Sequence, residues 1–176
     1  MLKRRTLLKW LHWLSLALIF YFLLIEPEGV TKSNGAALAT HAGLGLVLGF
    51  IALVWTGIYL RKGLASRPGP KLPTWARRFH SFNHRLLYVA LPLMVFTGAA
   101  TGFAAPYVIY AFGILPINPG FDAAALHKLL EDIHEVAFNL LLAAVTLHAI
   151  FHLWRHTALR DNALRIMAPK IMHRWL

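Results

Sequence analysis

The ten histidines of this chain are the side chains best suited to chemistry, because imidazole binds metal ions and exchanges a proton near neutral pH. Of the histidines inside long apolar stretches, four are the main candidates for a buried site: His12, His41, His134 and His148. An ionisable side chain inside a membrane is costly, so its presence there indicates a functional site. What these imidazoles can do depends on the elements that hold them.

The composition is that of a membrane protein. Of the 176 residues, 58% are hydrophobic and only 14% are charged, whereas a soluble domain carries about 25% charged residues. The length fits a single domain over residues 1–176. The absence of cysteine excludes disulfides, thiolate catalysis, cysteine-ligated iron–sulfur clusters, covalently attached haem and cysteine-type zinc sites.

Four apolar stretches are long enough to cross a bilayer, which takes about 20 residues. They cover approximately residues 7–25, 36–60, 82–105 and 133–154. They predict an all-α fold, an integral membrane four-helix bundle. The run from Tyr107 to Leu115 is too short to span and predicts an interfacial loop. Arg4 and Arg5 resemble a twin-arginine export signal, but the long aromatic run after them predicts a retained first helix.

Basic residues are concentrated on one side of this predicted bundle. Of the 18 Lys and Arg residues, 16 lie near the N-terminus, between Arg61 and Arg85, or in the tail from Arg155. Cytoplasmic segments of membrane proteins carry such an excess, so both termini are expected in the cytoplasm. The net charge of +11 therefore reports membrane topology, and a nucleic-acid partner is excluded.

Helical rise places His12 and His148 at one depth. His12 follows Arg5 by seven residues, and His148 precedes Arg155 by seven residues. At the rise of an α-helix, each lies about 10 Å from the cytoplasmic edge.

His41 and His134 share a second depth. His41 precedes Arg61 by 20 residues and His134 precedes Arg155 by 21, so both lie about 30 Å from the cytoplasmic edge. His134 and His148 are 14 residues apart on one helix. That spacing separates them by about 21 Å along the axis and roughly 40° around it.

Two b-type haems stacked across the bilayer explain these matched depths. Haem iron takes an axial ligand on each face, and helix bundles hold cofactors between facing side chains. Small residues such as Gly43 and Gly98 would let a flat macrocycle lie against the backbone. The predicted ligands are paired by depth: His12 with His148 on the cytoplasmic side, and His41 with His134 on the periplasmic side.

Other histidines near the cytoplasmic face leave alternatives open. His152 competes with His148 as a ligand, and His84 competes with His12. A membrane histidine can also simply hydrogen-bond two helices. Together with Arg85, the residues His80, His84 and His152 could line a quinone pocket and handle protons. The alternative is that they are interfacial side chains whose polar tips reach water.

The chain resembles the bacterial diheme cytochrome b561 family over nearly all of its length. The matching segments are Leu11-His12-Trp13, the His41 segment, His134-Glu135, Leu147-His148-Ala149 and the tail from Arg160 to Pro169. The resemblance implies the same pairing of ligands and two non-covalent b haems with bis-histidine coordination. It also implies a bacterial inner-membrane location and electron exchange with the quinone pool.

The family includes superoxide:quinone oxidoreductases. The resemblance implies that superoxide is oxidised to oxygen on the periplasmic side and that ubiquinone is reduced. Lys32, His127 and Lys128 could form a local positive entrance for the superoxide anion, although acidic residues outnumber lysines in the outer loops. Those acids favour a second hypothesis, a cytochrome subunit that links quinone or quinol to a basic periplasmic redox protein. A haem-free transporter or scaffold is a third.

Overall fold

The computed structural model describes residues 4–25, 27, 35–65, 68–121, 123–168 and 170–174. Its elements follow in chain order: α1 (Arg4–Leu24), α2 (Gly35–Lys62), α3 (Thr74–Phe103), β1 (Tyr110–Ala111), β2 (Leu115–Pro116), α4 (Ala124–Thr157), α5 (Ala163–Met167) and a short 3-10 helix (Lys170–Arg174). Helices α1 to α4 are long and apolar enough to cross a membrane. The predicted all-α membrane bundle of four helices is confirmed.

Helices α3 and α4 extend beyond the apolar stretches that predict them. Helix α3 begins at Thr74 rather than near residue 82, and α4 begins at Ala124 rather than near residue 133. Each residue added to an existing helix gains a hydrogen bond, so a helix continues through polar sequence once it has formed. His127, which precedes the fourth predicted apolar stretch, therefore lies in the first turn of α4 rather than in a loop.

The bundle presents apolar side chains both inside and outside. The buried cluster joins all four long helices: Leu11, Leu18, Ile19, Phe22, Leu48, Ile51, Ala52, Leu91, Met94, Ala137 and Leu141. Large apolar side chains such as Phe20, Phe50 and Phe96 are exposed on the outer face. Helices that are apolar all round are typical of membrane spans, because lipid solvates their outward face.

The two ends of the bundle differ in charge. The basic end is formed by the start of α1, the end of α2, the start of α3 and the chain from the end of α4 onward. Its described basic side chains are Lys9, Arg61, Lys62, Lys71, Arg77, Arg78, Arg85, Arg155, Arg160, Arg165 and Arg174. The opposite end includes the start of α4, which carries Lys128, Glu131, Asp132 and Glu135.

After α4 the chain folds back across the basic end and contacts α1. The Lys9 Nζ atom donates a hydrogen bond to the carbonyl oxygen of Ala168 at 2.9 Å. The Trp13 indole Nε1 donates to the carbonyl oxygen of Met167, also at 2.9 Å. These bonds hold α5 against the first turns of α1.

A buried ion pair fixes the turn that starts this return. Arg155 contacts Asp161 Oδ2 through Nε at 2.8 Å and through Nη2 at 2.7 Å. The other carboxylate oxygen of Asp161 accepts a hydrogen bond from the backbone N–H of Ala163 at 2.9 Å. Gly69 lies over the pair, because a Cβ atom at that position would be 2.9 Å from Arg155 Nη2. The ion pair therefore joins the end of α4, the tail and the α2–α3 connection.

At the opposite end, strands β1 and β2 form a short antiparallel hairpin between α3 and α4. The backbone N–H of Phe112, at the tip of the hairpin, donates to the carbonyl oxygen of Ala39 at 2.8 Å. A Cβ atom on Gly43 would lie 2.5 Å from the Phe112 ring. Gly43 therefore makes room for this aromatic ring rather than for a macrocycle.

We predict that Asp161→Asn destabilises the protein strongly. Breaking a buried ion pair leaves an uncompensated charge and costs about 3–5 kcal/mol. The matched control is Asp132→Asn, which removes an exposed ion pair with Lys128 and should cost less than about 1 kcal/mol. Thermal unfolding in detergent would compare the two variants, and equal unfolding midpoints would contradict the role given to the buried pair.

Candidate functional site

His12 on α1 and His148 on α4 face each other near the basic end; they are called the basic-end pair below. Their ring centroids are 6.4 Å apart, with an angle of 51° between the ring planes. Both rings line a cavity of about 490 Å³ that is walled mainly by apolar side chains. That volume lies within the range of small-molecule and cofactor sites, which is about 300–1,000 Å³.

His41 on α2 and His134 on α4 face each other near the other end; they are the opposite-end pair. Their ring centroids are 6.5 Å apart, with an angle of 88° between the planes. The Phe22 ring packs edge-on against His41 at 4.8 Å. Buried His41 Nδ1 has no hydrogen-bond partner among the described residues. Such an orphaned polar atom points to a group that the chain itself does not supply.

The separation within each pair fits a metal held between two imidazoles. A metal–imidazole bond of about 2 Å on each side, plus roughly 1 Å from each nitrogen to its ring centre, gives a centroid separation of about 6 Å. The observed 6.4 and 6.5 Å agree with this value. Both pairs, which join the same histidines that the sequence pairs, therefore fit an axially ligated haem iron.

Asn83 orients the His148 ring. The Asn83 amide nitrogen donates to the carbonyl oxygen of Ala144 at 3.2 Å, which turns its amide oxygen toward His148. His148 Nδ1 donates to that oxygen at 3.1 Å. The neutral ring then carries its proton on Nδ1, and Nε2 keeps a lone pair for a metal. His152 instead contacts His84 through its own Nε2 at 3.4 Å, so this geometry favours His148 over its rival.

Thr97 does the same for His134 at the opposite end. Its hydroxyl donates to the carbonyl oxygen of Met94 at 2.8 Å and accepts from His134 Nδ1 at 3.0 Å. A Cβ atom on Gly98 would lie 2.7 Å from His134 Cε1 and 3.1 Å from its Nε2. The missing side chain of Gly98 thus leaves space for the ligating edge of the imidazole, whereas the sequence suggested contact with a macrocycle.

The structure brings three of the four predicted quinone-site residues together. His80, His84 and His152 converge at the basic end, with one ring nitrogen from each lying within 4.8 Å of the others. His84 and His152 also line the cavity beside the basic-end pair. Arg85 lies apart from this cluster, because it is exposed and lines a separate surface cleft with Arg77.

The predicted positive entrance at the opposite end is neutralised by acids. Lys128 Nζ lies 2.8 Å from Asp132 Oδ1 and 3.6 Å from Glu131 Oε2. His127 Nε2 lies 3.4 Å from the other Glu131 oxygen. Lys32, the third member of the predicted entrance, lies outside the described residues.

A helical membrane bundle with two pairs of facing histidines, each at the separation that iron needs, has the architecture of a transmembrane b-type cytochrome. The sequence profile of prokaryotic cytochrome b561 matches residues 3–170, and the chain belongs to that family. It is therefore a multi-pass membrane protein of a family that transfers electrons and binds b-type haem through histidine. No curated protein sequence matches the chain.

Sequence reasoning missed the polar side chains that support the histidines. Asn83 and Thr97 are buried, and neither belongs to a pattern that marks a site. The available signal is their polarity within or beside an apolar span, where an uncompensated amide or hydroxyl is costly. Asp161 likewise stands out in the sequence only as part of the tail, and its ion pair with the buried Arg155 could not be predicted.

We predict that Gly98→Ala displaces the His134 ring and lowers haem content, because the new methyl group would overlap its ligating edge. The matched control is Gly45→Ala on α2, where a Cβ atom meets no heavy atom within 4 Å. Haem per chain, measured on the purified variants, should fall for Gly98→Ala and stay at the wild-type value for Gly45→Ala. Equal haem content in both variants would show that Gly98 does not position His134.

Proposed function

We propose that each histidine pair holds one b-type haem and that the protein carries electrons across the membrane between a periplasmic donor and ubiquinone. The observation that carries this proposal is the separation of about 6.5 Å within both pairs. His12 and His148 would hold one haem, and His41 and His134 the other. When bound, the haems supply reversible one-electron oxidation and reduction of iron.

The residues of the chain then set geometry and proton position. Asn83 and Thr97 would keep the protons of His148 and His134 on Nδ1, which would leave the lone pair of each Nε2 available to hold the haem iron. The apolar walls of the basic-end cavity exclude water and favour a hydrophobic ligand beside the pair. The C-terminal tail covers that cavity, because Ala163, Leu164 and Met167 contribute to its lining.

Ubiquinone would be reduced at the basic end. The concentration of arginine and lysine there supports a cytoplasmic location for this end and for both termini. His84 and His152 line the cavity and lie within hydrogen-bonding reach of each other, with their Nε2 atoms 3.4 Å apart. These imidazoles can donate hydrogen bonds to a quinone oxygen and deliver the protons that its reduction consumes. His80 extends the series of rings away from the cavity.

Superoxide is the proposed electron donor, as the family resemblance implies. Two superoxide anions would each lose one electron and leave as oxygen, and one ubiquinone would gain two electrons and two protons. The opposite end, placed in the periplasm, would receive the superoxide. Lys32, His127 and Lys128 are the proposed entrance, of which His127 and Lys128 can assist only if their contacts with Glu131 and Asp132 open.

A second candidate donor or acceptor is a basic periplasmic redox protein. Glu131, Asp132 and Glu135 are exposed at the opposite end. Among the described residues in this part of α4, Lys128 is the one lysine or arginine beside them. A surface of this sign attracts a partner of positive charge and repels a free anion. The ion-paired state of Lys128 is the observation that favours this candidate over superoxide.

We predict that His41→Ala and His134→Ala each remove one haem and leave the other, whereas His12→Ala and His148→Ala remove the second. Iron loses one of two axial ligands in each variant. Haem per chain and a redox titration of the absorbance would identify which haem is lost. The control is His156→Ala, which alters a histidine outside both pairs. Retention of two low-spin haems in any of the four variants would show that its histidine is not a ligand.

The proposed reaction predicts that air-oxidised purified protein becomes reduced when superoxide is generated enzymatically in its presence. Ubiquinone added afterwards should reoxidise it. The absorbance of the b-type haem bands follows both steps, and superoxide dismutase should abolish the first. The His134→Ala variant serves as the matched control, because it retains the proposed basic-end haem and loses the one nearer to the donor.

Two results would separate the candidates. Haems that stay oxidised under superoxide but become reduced by ubiquinol would reject the superoxide reaction and support a protein partner. In that case a basic electron-transfer protein should reoxidise them at a rate that falls with ionic strength, since attraction between opposite charges is screened by salt. Haems that respond to neither superoxide nor ubiquinol would reject both candidates.

A further inference from the structure

We propose that His80, His84 and His152 form a binding site for Zn²⁺ next to the basic-end pair. The His148 ring of that pair lies 4.9 Å from the His84 ring and 4.5 Å from the His152 ring. The three side chains come from α3 and α4 at the basic end, and one ring nitrogen from each lies within 4.8 Å of the other two. His80 is completely buried and the other two are partly buried. None of the three belongs to the basic-end pair or to the opposite-end pair.

The nitrogen positions suit tetrahedral coordination. Two Zn–N bonds of about 2 Å at the tetrahedral angle hold their nitrogens about 3.3 Å apart. His84 Nε2 and His152 Nε2 are already 3.4 Å apart. Every distance in the cluster is at most 4.8 Å, so the third nitrogen needs to approach by roughly 1.5 Å or less.

The helices supply these ligands in a spacing that zinc sites use. His80 and His84 are four residues apart on α3 and project from one face, as two histidines do in helical zinc motifs. His152 on α4 completes the set from the neighbouring helix. A hydrogen bond between His84 and His152 would account for their short distance, but it would not account for the convergence of a third imidazole.

The donor chemistry favours Zn²⁺ over hard cations. Neutral imidazoles suit zinc, copper and nickel, whereas magnesium and calcium take oxygen ligands. Three protein ligands leave a fourth position, as in zinc sites that exchange a bound molecule.

Two fixed charges lie near the cluster. The Arg155 guanidinium acts on all three imidazoles, and the Asp161 carboxylate acts on His80. The carboxylate lies 2.7 Å from the guanidinium, so it offsets part of the positive charge that a dication would meet. Zn²⁺ at this position would occupy the imidazoles that the proposed function assigns to quinone and would slow quinone reduction. That consequence rests on the proposed function, whereas the binding site itself does not.

The direct test is zinc binding by purified, haem-loaded protein that carries no histidine tag. After treatment with a chelator, the protein would be dialysed against Zn²⁺, and zinc per chain would be measured by elemental analysis and titration calorimetry. We expect about one tightly bound zinc per chain, as three imidazole ligands would provide. His80→Gln should weaken binding at least tenfold, while the matched control His156→Gln should leave the affinity unchanged.

Zinc X-ray absorption of the wild-type protein tests the same site without any substitution. We expect an imidazole-rich first shell with nitrogens at about 2 Å. Haem content and absorbance, recorded for each variant, show whether the bundle has kept its fold. The absence of stoichiometric zinc, or equal affinity in a His80→Gln/His84→Gln/His152→Gln variant, would overturn the proposal. Zinc binding without an effect on quinone reduction would retain the metal site and reject its link to the proposed function.

Discussion

The surrounding structure has to accommodate two polar imidazole rings on one membrane helix, those of His134 and His148. Their 14-residue spacing aims both rings into an apolar bundle at heights about 21 Å apart. A polar ring in such surroundings needs partners for its nitrogens. Helix α3 provides a partner for each Nδ1, from Asn83 at one height and Thr97 at the other. Helices α1 and α2 then place a second imidazole ring 6.4 Å from that of His148 and 6.5 Å from that of His134.

At the basic end, a hydrophobic cavity lies beside the His12 and His148 rings, and the C-terminal tail covers it. The tail folds back from α4 to α1, and the buried ion pair between Arg155 and Asp161 determines where this turn begins. The C-terminal tail, whose sequence resembles that of the cytochrome b561 family, therefore also has a structural role. It covers the apolar cavity and joins the end of α4 to the α2–α3 connection and to the first turns of α1.

The number of long helices, the pairing of the histidine rings and the concentration of bases at one end could be predicted from sequence. These properties depend on apolar length, helical rise and charge count, which are local quantities. The supporting contacts could not be predicted, because the partner of His148 depends on how α3 is rotated against α4. Phe112 against Gly43 was missed for a similar reason, since it depends on the path of a hairpin. Lys128 was expected to attract an anion, but one helical turn places two acids beside it.

The central claim is that each pair of facing histidines holds one haem iron between its two rings. The most direct measurement is the number of haems per chain in the wild-type protein, combined with electron paramagnetic resonance of the oxidised form. The account predicts two b haems per chain, both six-coordinate and low-spin, as two axial imidazoles require. One haem per chain, or a high-spin signal from either haem in intact protein, would contradict it.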